Sequence, residues 1–157
     1  MMICGIDPGV TGGITFMNDR HMVCKPVPIE TYRVAGKTKK FLSVVSICEL
    51  LDDYSPKLVF IEKQQAMPKQ GVVSTFRTGF GYGVYLGLIV ALQYKFVEVR
   101  PQVWKKDLGV TSDKDQARQR ATELMPDASA CWEKRSQDGI AESALIAYWG
   151  MNNYSLD

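Results

Sequence analysis

The sequence predicts an α/β protein built on one mixed sheet with helices on both faces. Three observations lead there. The first third holds three short strand-like runs joined by turn signals. Two later apolar runs, 57–62 and 96–99, have the length of buried strands. Stretches with helical spacing separate and follow them. Hairpin-joined strands, then strands alternating with helices, give a sheet that begins antiparallel and continues parallel.

The elements follow in order. Strands are expected at 2–7, 12–18 and 21–28, the first pair joined by Pro8, Gly9, Gly12 and Gly13, the second by Asn18-Asp19-Arg20. Residues 29–38 are polar and basic and contain Gly36, which reads as a loop. Phe41, Val44, Val45, Cys48 and Leu51 recur at three- and four-residue spacing, predicting a helix over 40–53 that Ser55-Pro56 ends. Residues 63–79 hold Pro68, Gly71 and Gly79 among polar side chains and read as an exposed loop. An apolar helix follows over 81–92, with glycines 83 and 87 forming a smooth face for its own sheet or for a second copy. Pro101 opens a short helix near 102–107, and Ser112 or Asp113 caps another that runs to Leu124, where Pro126 stops it. The last helix is expected over 138–149.

Composition narrows the class. The chain has 157 residues, 46% hydrophobic and 23% charged, enough for one globular domain over 1–157 with a full core. A formal charge of +2 does not by itself indicate nucleic acid. Its distribution says more: Lys25, Arg33, Lys37, Lys39 and Lys40 face one nearby acid, Glu30, and a second basic series runs from Arg100 to Arg120. Solvated faces are the plainer reading of both runs. Cys4, Cys24, Cys48 and Cys131 are far apart and His21 is the one histidine, which argues against zinc and against a disulfide framework. The longest apolar run, 84–92, is about half a membrane span, and Met1 is followed by no basic leader, so a cytoplasmic protein of viral or bacterial type is expected, without a membrane partner.

The acids carry the chemistry. In CGIDPGVTGGIT an apolar strand stops at Asp7 and turns on glycines; in LVFIE another ends at Glu62. No Gly-Lys-Ser/Thr and no G-x-G-x-x-G follows the first, so it is neither a P-loop nor a dinucleotide turn. The last helix carries Asp138 and Glu142, four apart on one face among core residues. Asp7 alone reads equally as a turn cap, and Asp138 alone as a first-turn acid favoured by the helix dipole. Together, four carboxylates without histidine or cysteine form a hard oxygen cluster suited to Mg²⁺ or Mn²⁺. Two such ions about 4 Å apart hydrolyse a phosphodiester without a nucleophilic side chain. The glycines are then expected to keep bulk away from an approaching phosphate backbone.

The order GIDPGVTGG, VFIEKQ, DGIAESALIA resembles the RuvC-type Holliday junction resolvases of the RNase H-like (retroviral integrase) superfamily. The segments GFGYGVYLGLIVAL and VEVRPQVWKKDLGVTSDKDQAR are similar to its phage and monokaryotic chloroplast branch, and the resemblance runs from about residue 3 to 150. It implies an RNase H-like five-stranded sheet and a homodimer that nicks four-way DNA junctions in pairs. It implies a site in which Asp7, Glu62, Asp138 and Glu142 hold two Mg²⁺ ions, with Mn²⁺ substituting, and no small-molecule substrate. Lys105 and Lys114 take the phosphate-neutralising positions, with Lys106 the one-residue alternative to Lys105. Arg118, Lys69, Lys37, Lys39 and Lys40 are further DNA-contact candidates. The bacterial enzymes carry an aromatic wedge after the second acid; here the segment is Gln64-Gln65-Ala66-Met67-Pro68. Met67 as an apolar wedge, Gln65 as a base probe, and Phe76 or Phe80 farther on are the candidates for that role. The rival readings are a related nuclease for flaps, RNA–DNA hybrids or structured RNA, an actin-like kinase whose first phosphate loop also reads D-x-G-x-T, and a non-catalytic junction binder.

Overall fold

A computed structural model describes residues 1–111 and 113–155, the side chain of Lys114 excepted. Its centre is a five-stranded sheet of order β3-β2-β1-β6-β7, formed by β1 (Ile3–Asp7), β2 (Gly13–Met17), β3 (Met22–Pro26), β6 (Leu58–Glu62) and β7 (Phe96–Val99). β1, β2 and β3 are antiparallel, and β6 and β7 run parallel to β1. This is the expected mixed sheet.

Strand alternation sends successive side chains to opposite faces, and both faces are covered. Ile3, Leu58 and Phe60 join Trp104, Leu145 and Trp149 under α3 (Pro101–Leu108), α4 (Lys114–Leu124) and α5 (Asp138–Asn153). Cys4, Ile6, Val59 and Ile61 join Ile47, Leu51, Tyr85 and Ile89 under α1 (Val44–Tyr54) and α2 (Val72–Ala91). α5 lies against β1 and β2, and there the hydroxyls of Thr15 and Ser143 hydrogen-bond at 2.8 Å, both buried. Asp113 caps α4 by accepting from the Asp115 N–H; Ser112, the other capping candidate, lies outside the described residues. All four cysteines are free. No described helix is long and apolar enough to cross a membrane.

Four expectations are corrected. Residues 29–38 are not a loop: β4 (Ile29–Val34) pairs with β5 (Lys37–Leu42) in a separate two-stranded ribbon. Ala35 (φ 49°) and Gly36 (φ 76°) make its two-residue turn, the left-handed pair that suits strand twist. Both strands are solvent-exposed on both faces, so no one-sided apolar alternation exists to be read. Ser43, not residue 40, precedes the next helix, and its hydroxyl donates to Glu30 Oε1 at 2.8 Å, tying ribbon to helix. The stretch 63–79 is loop only to Gly71. α2 begins at Val72, a start that Val-Val-Ser-Thr, weak helix formers, hides from the sequence. The apolar run 84–92, too short to span a membrane, reads as a buried helix, but its residues 84–91 lie in α2 with Tyr85 and Ile89 buried and Val90 61% exposed, so that helix is one-sided.

Candidate active site

The sheet topology brings the acids to one edge. Asp7 ends β1 and Glu62 ends β6, and the parallel register Ile6↔Ile61 sets the two side by side. The first residues of α5 close against the turn after β1, where Gly12 and Gly139 form a backbone bridge. This contact revises the expected role of the glycines. A Cβ on Gly139 would stand 2.3 Å from the Thr11 carbonyl oxygen and 2.5 Å from Gly12 Cα, and one on Gly13 would stand 2.6 Å from Ile140 Cα. Gly12, Gly13 and Gly139 admit the close approach of helix α5. Gly139→Ala is therefore expected to cost about 1–3 kcal/mol of stability, read from a denaturant titration.

Asp138 and Glu142 occupy the first turns of α5, four apart as the spacing requires. Each meets a cation from a neighbouring helix. Lys105 Nζ lies 3.1 Å from Glu142 Oε1, and Arg118 Nε lies 2.7 Å from Asp138 Oδ1. Lys105 faces the site, whereas Lys106 is exposed. Arg118 is a side chain with 19% exposure whose guanidinium also donates to the Glu133 carbonyl at 3.2 Å and pairs with Asp115. It is turned toward Asp138 rather than outward. Of the remaining candidates, Gln65, Met67 and Lys69 are exposed in the loop after β6, and Lys37, Lys39 and Lys40 are exposed on β5. The side chain of Lys114 lies outside the described residues.

Electrostatics reports how crowded the edge is. Burial, then the charges of Glu142 and Glu62, push the Asp7 carboxyl up to about 8; the Gly9 backbone N–H and Lys105 pull the other way. Burial and Glu142 likewise hold Glu62 above the usual carboxylate range. Two neighbouring acids that resist ionisation are the expected state of buried carboxylates gathered together.

The donor set also fits a hard cation. It is all carboxylate, and the buried Asp138 Oδ1 has the Arg118 guanidinium 2.7 Å away but makes no well-formed hydrogen bond among the described residues. Among the described residues no three acids close on a common point; Lys105 pairs with Glu142 and Arg118 with Asp138. Asp7, Glu62, Asp138 and Glu142 would be the ligands.

Sequence reasoning missed Trp104. Its indole Nε1–H donates to Glu62 Oε2 at 2.9 Å, and the residue is fully buried. The signal was present: a tryptophan in a short polar helix, immediately before the singled-out Lys105.

Comparison with solved structures fits this architecture. RuvC of Thermus thermophilus, solved with a Holliday junction substrate, superposes with a TM-score of 0.62 at 14% identity, covering 97% of this chain and 95% of that one. This chain has the RuvC fold. The yeast mitochondrial Holliday junction resolvase Ydc2 gives 0.54 at 15% identity over 95% of this chain and 78% of its own. The fowlpox virus resolvase, solved with junction DNA, gives 0.53 at 16% identity over 97% and 99%. No family model and no curated protein sequence matches. The RuvC-like, RNase H-like sheet is thus shared at identities of 14–16%, where backbone topology outlasts sequence.

Proposed function

We propose that this chain is a Mg²⁺-dependent endonuclease that resolves four-way DNA junctions by paired nicks, acting as a homodimer. The observation that carries the reading is that two strand-end acids and two acids in the first turns of α5 lie along one edge of a RuvC-type fold. A phosphodiester is an anion, and a carboxylate edge repels it unless cations intervene. Asp7, Glu62, Asp138 and Glu142 would hold two Mg²⁺ ions, or Mn²⁺ in their place, which would supply water activation and leaving-oxygen stabilisation for an in-line displacement. Lys105, and Lys114 next to the start of α4, are the cations suited to the phosphates flanking the cut. Junction shape, read through backbone contacts, is the natural source of selectivity.

The ribbon β4–β5 supports a wide DNA footprint. β3 runs parallel to β1 because both are antiparallel to β2, so β3 ends at the same edge as Asp7 and the ribbon springs from there. Arg33, Lys37, Lys39 and Lys40 line it, with Glu30 already bonded to Tyr32 and Ser43. Replacing Lys37, Lys39 and Lys40 together by Gln is expected to flatten the log K against log[salt] slope by about 2–3 for junction binding in Ca²⁺. An unchanged slope would remove the ribbon from the footprint.

The deciding experiment is cleavage of end-labelled four-way junction beside flap, linear duplex, RNA–DNA hybrid and structured RNA, each with Mg²⁺ and with EDTA. Paired nicks on the junction alone are expected. Preferential cutting of flaps or hybrids would overturn the substrate, and binding without cutting would overturn the enzyme.

A further inference from the structure

The sheet register delivers Trp104 to Glu62. Val99 is the register partner of Glu62, and Pro101 starts α3 two residues later. The first turn of that helix folds back over the β6 end. A buried indole N–H must find an acceptor, and the one it meets is Glu62 Oε2 at 2.9 Å. The other oxygen, Oε1, faces Gln64 Nε2 at 3.2 Å, at the margin of the buried region. The two oxygens of Glu62 therefore have different surroundings. The adjacent residue on α3, Lys105, reaches Glu142.

We propose that Trp104 is a positioning residue, whose indole N–H ties down Glu62 Oε2 so that Oε1 is presented to a divalent ion. The inference rests on the metal reading of the site. A glutamate has three side-chain torsions, and an unrestrained one pays rotamer entropy each time it ligates. A hydrogen bond from a fully buried, rigid donor removes that freedom before the ion arrives, as outer-shell donors do for ligating carboxylates. Gln64 is partly exposed and its contact is longer, so it does not do the same for Oε1.

The test is Mn²⁺ binding to the full chain without DNA, followed by electron paramagnetic resonance. Trp104→Phe keeps a buried ring and removes the donor; its affinity is expected to fall about 10–100-fold. Trp149→Phe is the control, because Trp149 Nε1 makes an equivalent bond to Asp107 Oδ2 at 2.8 Å away from the acids. It should lose stability and keep its Mn²⁺ affinity. Unchanged affinity in Trp104→Phe, or an equal fall in both variants, would overturn the proposal. If Trp104→Phe does not fold, the unmodified chain answers: Mn²⁺ should broaden the Trp104 indole N–H resonance before those of Trp132 and Trp149, and simultaneous broadening would overturn it. An unmodified chain that binds no Mn²⁺ at all would overturn the metal reading itself, an outcome visible before any variant is made.

Discussion

Asp7→Asn is expected to abolish cleavage and, in the same variant, to stabilise the folded chain at pH 8. The two effects share one cause. Burial and the charges of Glu142 and Glu62 raise the Asp7 carboxyl to about 8 from its ordinary 3.8. Between those values the folded chain holds a proton that the unfolded chain has released. Stability without divalent cation therefore falls as pH rises through that window. Glu62, shifted in the same direction, adds to the slope. An amide at position 7 removes the penalty, so the variant's melting temperature should exceed the parent's at pH 8 and vary less with pH. Each kcal/mol recovered is worth about 2–4 °C in a chain of this size. Saturating Mg²⁺ should stabilise the parent, by mass action on the folded state, more than it stabilises the variant. Cleavage should fall by about 10³-fold or more, the scale on which members of a catalytic unit act. Thermal melts from pH 5 to 8.5, with EDTA and with Mg²⁺, check the stability half. A variant less stable than its parent at pH 8 would mean that Asp7 is a structural cap after all.

The parts of this molecule that the sequence made legible are those whose local residue pattern matches their burial. β1 and β6 read as strands because both faces are buried and each run stops at an acid. Asp138 and Glu142 read as a pair because helical spacing alone puts them on one face. The ribbon β4–β5 escaped because Lys37, Thr38, Lys39 and Lys40 leave no apolar side, and much of its packing is local, such as Tyr32 edge-on to Phe41 at 5.6 Å. The role of Gly139 escaped for a different reason. It follows from helix α5 touching a turn some 130 positions earlier, a contact no local pattern encodes. Trp104 lies between these cases: its helix was legible, but its partner depends on the β6–β7 register.

The largest effect at a distance from the acids is expected from Phe80→Asp on α2. Val73, Phe76, Phe80, Gly83, Gly87 and Val90 recur at alternating spacings of three and four, the pattern of a helix seam. All six are exposed, the four larger ones at 61–72%, and Phe76 stacks on Phe80 with ring centroids 6.3 Å apart. A Cβ on Gly83 or Gly87 would meet nothing within 4 Å, so that part of the helix is open to close approach. Such an exposed stripe calls for a partner, and under the proposed function a second copy across a two-fold axis would supply the matching one. Two active sites held that way suit a junction whose opposed strands are cut together. A carboxylate at position 80 would face its symmetry mate in the seam while costing the monomer little, since Phe80 is not in the core. Light scattering is expected to give twice the 17.6 kDa chain mass for the parent and the single mass for the variant. Paired nicking should be lost with it while Mn²⁺ binding persists. A parent that is monomeric at working concentration would leave the stripe without this role, and a dimeric variant would move the axis to another face.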